Sequence, residues 1–77
     1  MQPTLEVAKE IIYAAESYNR WFPGYGSNNA SAARLSAAFV HTAEGMLMMA
    51  CIVYGRKTVL EILDAAAVFP PSVIAAY

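Results

Sequence analysis

Eight consecutive apolar residues, Met46-Leu47-Met48-Met49-Ala50-Cys51-Ile52-Val53, constrain this chain more than any other feature. On an α-helix such a run points apolar side chains in every direction, so no side of the segment is matched to water. A chain of 77 residues has too little surrounding protein to cover that helix by itself. The expected solution is other copies of the same chain, which makes a homo-oligomer the first expectation.

Composition points the same way. Hydrophobic residues make up 58% of the chain and charged residues 14%, against roughly 45–50% and about 25% in ordinary soluble domains. That balance excludes disorder and leaves surplus apolar surface to be buried. The length allows one domain, near the lower limit at which a single core is self-sufficient. Five basic and six acidic residues give a net charge of −1, without the basic footprint that drives DNA or RNA binding. A small anionic ligand needs only two or three local cations and stays open.

Cys51 is the only cysteine and His41 the only histidine. Those counts rule out a disulfide framework and a multi-ligand zinc site within one chain. No metal and no cofactor are expected, and Cys51 reads as a small buried hydrophobe. Glu6, Lys9, Glu10 and Glu16 near the start do not suit a signal peptide, so the expected location is cytoplasmic. The stretch from Ala37 to Tyr54 invites a membrane reading but includes His41, Thr42, Glu44 and Gly45. A carboxylate in mid-membrane is expensive, and no membrane is expected.

Hydrophobic spacing predicts three helices, over about residues 4–21, 30–54 and 58–68, followed by an apolar tail over 72–77. In the first, Val7, Ile11, Ala14, Tyr18 and Trp21 form one apolar stripe. Glu16 and Arg20 stand at i,i+4 on its wet side, a favourable pairing. Phe22 to Asn29 holds a proline, two glycines and two asparagines and predicts a loop, with Asn28, Asn29 or Ser31 available as the cap of the next helix. The second helix carries two seams. Leu35, Phe39, Thr42, Met46, Met49 and Val53 follow a 4-3-4-3-4 spacing, the pattern of a helix packed lengthwise on a partner. Ala33, Ala37, Val40, Leu47, Cys51 and Tyr54 form the other, and Ser36, Ala43 and Ala50 make a narrow stripe of small residues. Gly55 is placed to end this helix, and Thr58 to Glu61 matches a capping box for the third. Phe69-Pro70-Pro71 stops it. The expected fold is all-α, a three-helix chain built on a long antiparallel hairpin and assembled as a homo-oligomer, its tail docked on its own or a neighbouring subunit.

No catalytic constellation emerges. Cys51 and His41 are ten residues apart on one helix, about 15 Å along its axis and too far to share a proton. His41 is read as a solvated or hydrogen-bonded helix residue, with Glu44 placed to pair with it. Binding chemistry is better represented. An antiparallel hairpin brings Tyr18, Arg20, Trp21, Tyr25, Asn28, Asn29 and Arg34 to one pole. Aromatic faces, guanidinium groups and amides are what a nucleotide-like ligand requires. The bland alternative is that Tyr18 and Trp21 simply continue the core stripe while the asparagines form the turn and cap. Tyr54, Arg56 and Lys57 mark a second pole, whose cations also compensate a helix dipole.

Ser36 to Met48 reads Ser-Ala-Ala-Phe-Val-His-Thr-Ala-Glu-Gly-Met-Leu-Met. This resembles the second-helix signature of a phage anti-defence helical-hairpin family, Ser-Leu-Ala-x-Thr-Lys-Leu-Glu-Glu-Ala-x-Met-Trp. Ser36, Ala38 and Glu44 coincide with it, while Val40-His41 stands for Thr-Lys, Ala43 for the first glutamate and Met48 for the tryptophan. Members are small helical oligomers that sequester cyclic nucleotides or related signals of bacterial anti-phage systems such as CBASS and Thoeris. The resemblance therefore implies a non-enzymatic sponge for a nucleotide-derived signal, held between subunits. Its site is expected at Tyr18, Arg20, Trp21, Tyr25, Asn28 and Arg34. Two alternatives stand beside it: a small protein–protein inhibitor covering a host protein, and an interaction module without a ligand.

Overall fold

The first helix begins where a side chain replaces a missing backbone partner. Thr4 is extended, and its Oγ1 accepts from the Val7 amide at 3.2 Å, satisfying one of the orphan donors of the first turn. From there α1 runs Leu5–Trp21. This computed structural model describes residues 1–77, and it contains no strand. A short 3₁₀ turn at Phe22–Gly24 tightens the start of the loop, where the sequence predicts only irregular structure. Asn29 then caps α2, its Oδ1 accepting from the Ala32 amide at 3.0 Å, and α2 runs Ala30–Tyr54.

Gly55 serves both neighbouring helices. Its amide donates to Cys51 O at 2.9 Å, and its φ of 91° turns the chain within one residue, a conformation glycine adopts without a Cβ clash. α3 consequently starts at Arg56 and runs to Ala65. The capping box predicted at Thr58 is not used, because Thr58 lies inside the helix and no side chain caps its start. Arg56 Nη1 instead donates to Ala75 O at 3.2 Å, tying the first turn to the end of the chain. α3 also ends about three residues earlier than predicted. Ala67 adopts a φ of 56°, with its amide bonded to Asp64 O at 3.0 Å and the Val68 amide to Leu63 O at 2.9 Å. Those two bonds make a Schellman motif with alanine in the position glycine usually takes.

The core lies inside the α1–α2 hairpin, closed at one end by α3 and the tail. Ile11, Ala14, Ala15 and Tyr18 of α1 meet Ser36, Val40, Ala43, Leu47, Ala50 and Cys51 of α2. The stripe of small residues, Ser36, Ala43 and Ala50, thus lines the contact inside the hairpin, where it admits a close approach of the helices. Gly24 extends that approach into the loop: a Cβ built there would collide with the Ser36 side chain. Val59 and Leu63 of α3 and Ile74 of the tail complete the cluster. The tail forms a 3₁₀ turn at Ser72–Ala76 and docks on its own chain. A bond from Asn19 Nδ2 to Phe69 O at 2.8 Å ties α1 to the segment after α3. The result is a rod of 42 × 21 × 20 Å, its length set by α2.

Candidate functional site: an uncovered apolar face beside an aromatic pole

Only 14 of the 77 residues are buried, so most of the apolar surplus lies on the outside. Part of it gathers into a strip along one side of α2, while Leu5, Phe22, Ile52, Leu60 and Phe69 lie exposed elsewhere. Of the two seams of α2, the one containing Val40, Leu47 and Cys51 turns into the hairpin. The other, Leu35, Phe39, Thr42, Met46, Met49 and Val53, stays on the outer surface with Met46 half-buried and the rest exposed. Met49 is 59% exposed, although it belongs to the most apolar run of the sequence. α1 contributes Tyr13, 66% exposed, on the same side. Between the two helices a groove of about 250 Å³ is lined by Glu10, Tyr13, Ser17, Phe39, Thr42 and Met46, among others. Exposed apolar strips are a common property of interaction surfaces.

α2 is also long and apolar enough, by length and composition, to cross a bilayer, with a mean hydropathy of 1.5 over 18 residues. Arg34, His41 and Glu44 punctuate its outer surface, with Arg34 and His41 exposed and Glu44 half-exposed.

The pole expected to bind a ligand sits at the loop end of the hairpin, and the structure distributes its six residues unequally. Tyr18 is 6% exposed and stacks on Phe22, ring centroids 5.3 Å apart. Trp21 is half-buried and stacks on Phe39 at 4.6 Å. Both rings therefore act as part of the packing, as the bland reading holds. Arg20, Tyr25, Asn28 and Arg34 present exposed side chains. The three cavities of the chain are lined by none of these six residues. The i,i+4 pair expected between Glu16 and Arg20 does not form. His41 Nδ1 lies 3.5 Å from Glu44 Oε1, a pair that is ionic only when the imidazole is protonated, and Arg20 has no ion-pair partner within its own chain.

Sequence reasoning missed one element of this pole. Tyr25 Oη and His41 Nε2 are hydrogen-bonded at 3.0 Å, with the rings edge to face. Which of the two donates follows from the tautomer of the imidazole. Phe22, stacked on both Tyr18 and Tyr25, joins this pair to the core. No periodicity could reveal it, since the two partners are 16 residues apart across a turn. At the other end of the rod, Arg56, Lys57, Leu60, Glu61, Asp64 and Tyr77 line a shallow depression. Two carboxylates there offset the two cations, which weakens a phosphate reading of that pole. Cys51 is buried, and desolvation pushes its thiol above the usual range, with nearby Arg56 opposing.

No family model, characterised protein or solved structure matches this chain.

Proposed function

We infer that this chain is a non-enzymatic binding subunit that works as a homo-oligomer and sequesters a nucleotide-derived signal, in the manner of the phage anti-defence sponges its second helix resembles. The observation that carries the reading is the uncovered seam from Leu35 to Val53, which a lone chain in water leaves exposed. Burying apolar surface contributes roughly 25 cal/mol per Å² before the costs of association are met, and this strip is the surface on which assembly would draw. The ligand part rests on chemistry at the loop pole. Arg20 and Arg34 supply guanidinium groups for phosphate, Tyr25 an exposed aromatic face and Asn28 an amide for a base edge. Tyr18 and Trp21 support that surface from below. Such a protein would act in the cytoplasm of an infected bacterium.

The same strip favours a second reading, a small inhibitor that lays its apolar face on a host protein. Native mass spectrometry of protein freshly purified from bacterial cells separates them. A sponge is a closed oligomer carrying a nucleotide-sized mass at each site, and it loses that mass in folded Arg20→Ala and Arg34→Ala variants. An oligomer that takes up no member of a cyclic-nucleotide panel overturns the ligand assignment. A monomer recovered at fixed stoichiometry with one host protein overturns the sponge in favour of the inhibitor.

A further inference from the structure

The uncovered face carries two patterns that read the same in both directions, one on each helix. On α2 the outer seam is Leu35, Phe39, Thr42, Met46, Met49 and Val53. Laid antiparallel on a copy of itself about a centre at position 44, it pairs Leu35 with Val53, Phe39 with Met49 and Thr42 with Met46. Large side chains then meet smaller or flexible ones, and no layer contains a charge. The 4-3-4-3-4 spacing makes every such layer a mixed one of the two heptad positions, as antiparallel helix packing requires.

On α1 an independent line runs Glu6, Tyr13 and Arg20, seven residues apart and all exposed. Laid antiparallel on its own copy about Tyr13, it sets Glu6 against Arg20 at both ends, while Glu10, which lines the groove, stands level with Glu16 on neighbouring lines. A parallel arrangement would set like charge against like. Glu6 and Arg20 have no ion-pair partner within the chain, so in the ligand-free protein both charges are available across an interface.

These two centres need not have coincided, but they do. Tyr13 lines the same groove as Thr42 and Met46, the residues that flank the centre of the α2 pattern. One two-fold axis, lying in the plane of the face and crossing both helices at this level, satisfies both patterns at once. We propose that the outer face of the hairpin is a self-complementary dimer interface in which α2 packs antiparallel on α2 and α1 on α1, centred at Tyr13 and position 44. The occupant of the groove is then a second copy of this chain, with Tyr13 and Met46 of each copy filling the space between its helices. Gly45, exposed near the middle of α2 with open space around its Cα, stands beside the axis. Glycine there costs helix stability relative to alanine, a cost that close approach of a partner helix accounts for. An isologous contact of this type is the commonest form of homo-oligomer interface.

This inference rests on the homo-oligomer reading above, and two measurements separate their failures. Sedimentation of the wild type gives the mass, and spin labels at Ser31→Cys in a Cys51→Ala background give the geometry. The proposed register puts the two labelled backbones 26 residues apart, about 39 Å along the axis, whereas a parallel, in-register pairing of α2 with α2 brings them close. An even-numbered oligomer with the long distance, converted to smaller species of unchanged helicity by Met49→Glu, is expected. Charge reversal adds a specific signature: Arg20→Glu loosens the dimer tenfold or more, and Arg20→Glu with Glu6→Arg restores it. An oligomer with a short Ser31 distance, or one indifferent to Met49→Glu, overturns the interface and leaves the homo-oligomer reading standing. A wild-type monomer that binds lipid vesicles or a host protein overturns both.

Discussion

Trp21 lies face to face with Phe39, ring centroids 4.6 Å apart and planes 12° from parallel, where the end of α1 passes the start of α2. Stacked aromatic pairs contribute about 0.5–1.5 kcal/mol beyond the area they bury. A double-mutant cycle with Trp21→Leu and Phe39→Leu should therefore return a coupling energy of about 1 kcal/mol in chemical denaturation followed by circular dichroism. Trp21 is the only tryptophan, so Phe39→Leu alone should also shift its emission to the red. Additive single-mutant effects would show that the two rings are neighbours without mutual stabilisation.

Gly24 is needed for space. A Cβ at this position would run into the Ser36 side chain, which is itself buried. Overpacking of this kind typically costs about 1–3 kcal/mol, and Gly24→Ala should lower thermal stability by that order. Ser36→Ala removes the colliding hydroxyl while keeping a strong helix former. The double variant should recover part of the loss, and a purely additive double variant would place the strain elsewhere.

Much of this fold is legible in the sequence because its signals are local. A cap among Asn28, Asn29 and Ser31, the glycine at Gly55 and the 3.6-residue period of α1 and α2 each act within one or two turns; all three appear in the structure, with Asn29 as the cap. The start and end of α3 depart from the sequence expectation for a physical reason. Its limits are set by one-residue backbone reversals at Gly55 and Ala67 and by the Arg56 bond to Ala75, not by the capping box or the prolines. Periodicity also showed that α2 has two seams but could not say which one α1 would choose. That choice follows from the small residues: Ser36, Ala43 and Ala50 let the backbones approach, so the seam adjoining them turns inward and the bulkier one stays out. The loop pole was legible only in part. Its residues could be gathered at one end from hairpin geometry, but the Tyr25–His41 bond depends on how a 3₁₀ turn aims one ring.

Ala67 offers a gain in stability. Its φ of 56° closes the Schellman motif at the end of α3, and a left-handed conformation costs an L-residue roughly 1–2 kcal/mol. Its side chain is exposed, so nothing is lost when it is removed. Ala67→Gly should stabilise the chain by about 1 kcal/mol, raising Tm by roughly 4–8 °C in a domain of this size. A lower Tm would mean that the unfolded-state entropy of the added glycine outweighs the relieved strain.

Cys51 should make stability fall with alkalinity. Burial among α2 and its neighbours disfavours the thiolate, holding the thiol above its ordinary value of 9.0, while the cation of Arg56 draws it partly back. The folded chain therefore keeps the thiol proton at pH values where the unfolded chain has begun to release it. Because the folded value is the higher one, the stability it brings is fully present below the unfolded value and is lost as pH rises through the folded one. Denaturation midpoints measured from pH 7 to 10.5 should decline more steeply for the wild type than for Cys51→Ala, which leaves the tyrosines and lysines common to both. The same burial should keep Cys51 slow to react with a thiol reagent at pH 8 and make it fast once denaturant is added. Rapid labelling of the native chain would show instead that the end of α2 opens readily, and with it the contact between α3 and the rest of the core.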